Sequence, residues 1–146
     1  MKIEYFKLSE FDARDAAGKK IPGTGGQMRA CTIEKCDKLR EAYGKPLVVA
    51  SGIRTPERNK QVGGVKNSSH LLGYAVDWKN ITDDEMIAFL DAAWAANFRR
   101  FGIMATSIHT DDDPTKTTPA LWDYSTTPRS RWQSAKVWMA GKLKEI

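Results

Sequence analysis

Apolar residues recur along this chain in two different periods, and the change from one to the other lays out its elements. From Gln27 to Tyr43, the residues Met28, Cys31, Leu39, Ala42 and Tyr43 fall among charged neighbours at near-helical spacing. Gly44 and then Pro46 follow as a stop signal, so the spacing predicts a helix over 27–43. Leu47-Val48-Val49-Ala50 is a short continuous apolar run, the signature of a buried strand. Thr55 as N-cap and Pro56 at the first helical position open a helical turn that Val62-Gly63-Gly64-Val65 ends. Between Gly73 and Trp78 the period drops to two: Tyr74, Val76 and Trp78 share one face, Ala75 and Asp77 the other. Thr82-Asp83-Asp84-Glu85 reads as a capping box. The helix it opens runs to about Ala96, with Ile87, Phe89, Leu90 and Trp94 turned inward. Strands are predicted at 101–104, 107–111 and 121–124, and a terminal helix at 131–146 bearing Trp132, Ala135, Trp138 and Met139.

Residues 1–26 are dense in glycine and carry Pro22, which predicts a loop-rich lead-in with one short strand near Tyr5–Leu8. Helices and strands mix without βαβ alternation. The expected fold is therefore α+β: one domain over 1–146, an antiparallel sheet flanked by helices, and a helical extension from about residue 125.

Composition narrows the class. A chain of 146 residues with 41% hydrophobic content and five tryptophans suits a folded domain with one core. No apolar run approaches the roughly 20 residues needed to cross a bilayer, so no membrane insertion is expected. The N-terminus MKIEYFKLSEF lacks an apolar signal-peptide region, which implies synthesis in the cytoplasm without Sec-type export. The net charge of +5 is spread along the chain and reads as a solvated surface, mildly attractive to anionic polymers. Nucleotide binding has no support, because Gly18-Lys19-Lys20 lacks the P-loop hydroxyl and its leading glycine. Nucleic acid is not an expected partner, and a monomer is. Cys31 and Cys36 lie about 140° apart on a helix, too far round to bond each other; both are expected reduced and semi-buried.

The candidate chemistry gathers around the only two histidines. His70 is followed by Asp77, and His109 lies in Ser107-Ile108-His109-Thr110-Asp111. Two imidazoles and a carboxylate can make a three-ligand zinc site with a fourth position open to water, provided they converge.

Ser68-x-His70-x-x-Gly73-x-Ala75-x-Asp77 resembles the SxHxxGxAxD motif of the M15 zinc peptidases, the D-Ala-D-Ala carboxypeptidase-like group. Ser51-Gly52-Ile53-Arg54 is similar to the SGxR that precedes it there, and His109-Thr110-Asp111 to the later HxD. The segments Phe6–Asp12 and Leu121–Tyr124 also look like the phage and bacterial branch. The resemblance implies a hedgehog/D-Ala-D-Ala peptidase-like fold with one zinc per chain on the sheet, held by His70, Asp77 and His109. It further implies that Arg54 meets the substrate or the developing oxyanion, and that Ser68 supports the ligand loop or touches substrate.

The implied reaction is hydrolysis of peptidoglycan stem or cross-link peptides at a bond involving a D-amino acid, by a D,D-carboxypeptidase or endopeptidase. Such an enzyme would reach the wall on lysis or virion delivery, as an endolysin or tail-associated protein. Cleavage of the L-alanyl-D-glutamate bond and a non-catalytic zinc module similar to the hedgehog domains are the alternatives. Several relatives carry an acidic base three residues before the last histidine, where this chain has Thr106. Asp111, two residues after His109 and so on the same strand face, is offered either as the base or as a partner that orients a ligand.

Overall fold

The computed structural model describes residues 2–146, and its elements follow the periods of the sequence to within a few residues. Helix α1 (Ala30–Tyr43) starts later than the apolar spacing predicts, because Thr24–Gln27 form a separate 3-10 turn and Met28 is extended. It buries Thr32, Ile33, Cys36 and Leu39 and ends on Gly44 at φ +76. The two cysteines part company there: both are free, but Cys36 is buried and Cys31 exposed. Strand β1 (Val48–Ser51) and the short helix α2 (Pro56–Gln61) follow, the latter capped as expected by Thr55 Oγ1 accepting from the Arg58 N–H at 3.1 Å.

Strand β2 is Ala75–Lys79 and helix α3 is Asp83–Ala95. At the start of α3 the capping box does not form. The Thr82 hydroxyl donates to the Glu85 carboxylate at 2.8 Å instead of accepting from backbone, and Glu85 is drawn on towards Tyr43 and Lys45. Met86, Phe89 and Leu90 fill the core while Ile87 stays outside at 40% exposure, one position off the expected face. Strands β3 (Arg100–Ile103), β4 (Ile108–Asp111) and β5 (Ala120–Asp123) precede helix α4 (Arg129–Lys144). No helix among the described residues is long and apolar enough to cross a membrane.

Among the described residues the five strands form one sheet in the order β1-β2-β4-β3-β5. Its pairings are antiparallel as expected, except β3 with β5, which is parallel. One face carries Val76, Trp78, Phe101, Ile103 and Ile108, all fully buried in a core shared with α1, α3 and α4. Trp138 of α4 packs edge-on to Phe101 at 5.3 Å and donates its indole N–H to Asp91, so the tryptophans of the terminal helix serve packing.

The lead-in has no strand at Tyr5–Leu8. A 3-10 turn at Leu8–Phe11 and a bridge between Arg14 and Lys20 replace it. It is nonetheless part of the core, with Phe11 and Ala13 buried. Gly52 sits so close beneath it that a Cβ there would lie 2.6 Å from the Phe11 carbonyl oxygen.

Candidate metal centre

The sheet register brings the candidate residues into rows on the face away from the core. Asp77 pairs with His109, His109 with Gly102, and Gly102 with Trp122, so one row crosses four strands. The next row holds Ala75, Asp111, Arg100 and Ala120. Ser51 of β1, paired with Asp77 beside a bulge, extends the first row. His70 comes from the loop before β2, which Gly73 turns at φ +82, with no room for a side chain against the Gln27 carbonyl. Two backbone contacts join this loop to the Ser51–Arg54 motif: the Arg54 N–H donates to the His70 carbonyl at 3.1 Å, and His70 Nδ1 reaches the Gly52 carbonyl at 2.8 Å. Ser68 is buried and accepts the His70 backbone N–H at 3.3 Å, so it supports the ligand loop.

The three ligand candidates converge, with a donor atom from each of His70, Asp77 and His109 lying within 4.8 Å of the others. The proton pattern shows what the cluster suits. A carbonyl can only accept, so His70 Nδ1 carries the hydrogen, and in the neutral ring Nε2 is left with a lone pair to offer a metal. That Nε2 is buried without a hydrogen-bond partner and faces Asp77 Oδ1 at 3.2 Å. With the ring neutral, these two acceptors are placed to share a cation. On the other side His109 Nε2 meets Asp111 Oδ2 at 2.7 Å, which turns Nδ1 to Asp77 Oδ1 at 2.9 Å. Two imidazole nitrogens and one carboxylate oxygen are the donor set of an open, three-ligand zinc site. The residues present fit the ion.

Electrostatics agree with that geometry. Burial would raise the Asp77 carboxyl, but the adjacent His70 and the hydrogen bond from His109 hold it well below the usual carboxylate range. Burial disfavours a charged His109, yet its contacts with Asp111 and Asp77 outweigh this and push it up to about 9. Asp111 is buried, and against that burial His109 and Arg100 keep it ionised. Its Oδ1 takes the Arg100 Nε–H at 2.8 Å and the Asp113 N–H at 3.2 Å. Asp113 in turn accepts from Ser69 at 2.8 Å, which ties the end of β4 to the His70 loop.

The cluster lies in a cleft of about 610 Å³ lined also by Arg54, Ser68, Lys116, Trp122, Asp123 and Tyr124. Arg54 is braced by Asn59 Oδ1 at 3.0 Å and Ser51 Oγ at 3.3 Å, and its Nη2 stands 3.7 Å from Asp77 Oδ2. Trp122 lies 5.2 Å from the His109 ring, and Tyr124 lines the same cleft beside Gly102. Both need Gly102, since a Cβ there would come within 2.6 Å of Trp122 Nε1 and 2.9 Å of Tyr124 Cε2. Sequence reasoning did not assign Trp122, Tyr124, Arg100 or Gly52 to the site. Thr106 is an exposed loop residue whose carbonyl accepts the Ile81 N–H.

Comparison with known proteins adds to this geometry. The zinc D-Ala-D-Ala carboxypeptidase of Streptomyces albus G is 34% identical over 74 residues, which span half of this chain and 29% of that protein's length. The family model of peptidase M15 matches residues 4–111, a stretch that holds His70, Asp77, His109 and Asp111 but stops short of β5. On that match, and with a ligand cluster shaped for the metal, the chain belongs to the M15 family of zinc peptidases.

Proposed function

We propose that this chain hydrolyses peptidoglycan stem or cross-link peptides at a bond involving a D-amino acid. The observation that carries the reading is the orphaned His70 Nε2 facing Asp77 in a cleft that also presents the Arg54 guanidinium. His70, Asp77 and His109 would hold the zinc, which when bound would acidify water and polarise the scissile carbonyl. Arg54, fixed by Asn59 and Ser51, offers a planar fork to a substrate carboxylate or to the oxyanion that develops. Asp111 holds the Nε2–H of His109, which keeps the ring in the tautomer and orientation that present Nδ1. Of the carboxylates lining the cleft, Asp77 and Asp111 are thus committed. The third, Asp123, bonds neither histidine; its Oδ2 is pinned by Arg129 at 2.6 Å, and it is the candidate proton acceptor. Two nearby acids are less well placed: Asp112 is paired with Lys35 at 3.0 Å, and Glu57 is exposed on α2. The D-alanyl bond is favoured over the L-alanyl-D-glutamate bond by the name of the Streptomyces relative. We place the enzyme at the wall after lysis or virion delivery, acting as a monomer.

Digestion of purified muropeptides by the zinc-loaded protein, read by mass spectrometry, tests this. Loss of a terminal D-alanine identifies a carboxypeptidase, and separation of cross-linked dimers a D,D-endopeptidase. Release at the L-alanyl-D-glutamate bond moves the specificity. Unchanged muropeptides overturn the reading.

A further inference from the structure

Beside the metal cleft lies a second cavity of about 150 Å³, lined by Asp12, Arg14, Arg54, Arg58 and Val62 among others. Arg54 and Val62 line both, so the two spaces adjoin across the Arg54 side chain. Three arginine side chains line so small a space, and their like charges repel unless an anion joins them. Arg54 has Asp77 nearby, but among the described residues Arg14 and Arg58 form no ion pair. Each is only tethered: Arg14 donates to the Gly18 carbonyl at 2.8 Å and Arg58 to Gln61 Oε1 at 3.0 Å, through a single nitrogen in each case. A guanidinium has five N–H donors, so both arginines on the cavity wall keep unused donors. The one carboxylate on the wall, Asp12, is buried with Oδ1 accepting the Gly25 N–H at 2.7 Å, and it offsets one positive charge out of three.

The frame behind Arg14 is built. The Ala13 N–H donates to Thr24 Oγ1 and the Ile21 N–H to the Ala13 carbonyl, both at 2.7 Å, which fixes the lead-in loop over β1.

We propose that Arg14 and Arg58 form a subsite for a second carboxylate of the substrate, on the far side of Arg54 from the metal. This rests on the peptidase reading above and adds to it a preference for an anionic peptide. Wall stem peptides keep free carboxylates along their length, and planar guanidinium forks match carboxylate geometry. The net charge of +5 favours the approach of such a substrate.

The test uses the full zinc-loaded chain and two synthetic stem peptides that differ only in one carboxylate, kept free or converted to carboxamide. The unaltered protein should favour the free acid by ~10- to 100-fold in kcat/KM, through KM, the span of one or two charge-assisted hydrogen bonds. Arg14→Gln with Arg58→Gln should treat the two peptides alike. An unchanged preference in the double variant, or an equal loss on both peptides, overturns the subsite. If the unaltered protein cleaves neither peptide, the peptidase reading fails on its own, and calorimetric binding of the same pair still decides the subsite. Tighter binding of the free acid that vanishes in the double variant supports it, and equal binding by the unaltered protein overturns it.

Discussion

At Asp111 the carboxylate faces two ways, with Oδ2 on His109 and Oδ1 on Arg100 and the Asp113 N–H. A group so enclosed, 1% exposed, is poorly placed to collect a proton from water in the cleft. Asp111→Asn should therefore weaken zinc binding by ~10- to 100-fold, with most activity restored by excess zinc. A loss of ~100- to 10,000-fold in rate at full zinc occupancy would make Asp111 the base after all. Arg54→Ala should cut turnover by ~100-fold or more while zinc content stays normal. Arg54→Lys should rescue it poorly, because an ammonium cannot reproduce the fork braced by Asn59 and Ser51. Full activity in Arg54→Ala would leave the residue a purely structural part. At this scale the ligand cluster was legible through the motif resemblance, to which the two-residue period adds only that Asp77 lies opposite Val76 and Trp78. The part Asp111 plays was not, because strand periodicity puts His109 and Asp111 on one face without saying which ring nitrogen the carboxylate takes.

At the scale of elements, the loop between α2 and β2 is held by backbone fits that a single methyl group would break. Gly73 combines φ +82 with a Cβ position 2.6 Å from the Gln27 carbonyl oxygen. Gly73→Ala should cost at least about 1–3 kcal/mol from the strained backbone alone, with further cost from the clash. Because Gly73 lies three residues after His70 in the same loop, the variant should lose zinc as well as melting temperature. An alanine variant with normal zinc content and an unchanged melting curve would contradict this account. The stop at Gly44, the N-cap at Thr55 and the strand at Ala75–Lys79 were all readable, because each is set by local chemistry. The parallel pairing of β3 with β5 was not, since it depends on how residues 112–119 return the chain. Trp122 and Tyr124 were missed for the same reason: only the pairing of Gly102 with Trp122 brings Trp122 beside His109 and Tyr124 to the cleft.

Across the whole molecule, stability and metal binding meet at one proton. In the metal-free chain a charged His109 lies between Asp77 and Asp111, and its pKa stands at about 9 against an ordinary 6.5. A raised folded-state pKa means that this arrangement contributes its full stability below the unfolded value of 6.5 and loses it as pH rises through about 9. Asp77 and Asp111 act in the opposite sense. Both are lowered, so their contribution is present above the ordinary carboxylate value of 3.8 and fades only as pH falls through their folded values. The metal-free chain should thus be most stable in mildly acidic solution. Zinc requires the lone pair on His109 Nδ1, so below pH about 9 its binding must expel that proton. Apparent zinc affinity should rise by about tenfold per pH unit between roughly pH 6.5 and 9 on this account alone, then level off. The melting-temperature gain on adding zinc should widen over the same interval, because a ligand stabilises in proportion to its affinity for the folded state. Calorimetric titration of the metal-free protein, in buffers of different ionisation enthalpy and with a competing chelator, measures both the affinity and the protons released. Binding that releases no proton at pH 7, with an affinity flat across this range, would show that His109 is already neutral and that the two carboxylates do not hold its charge.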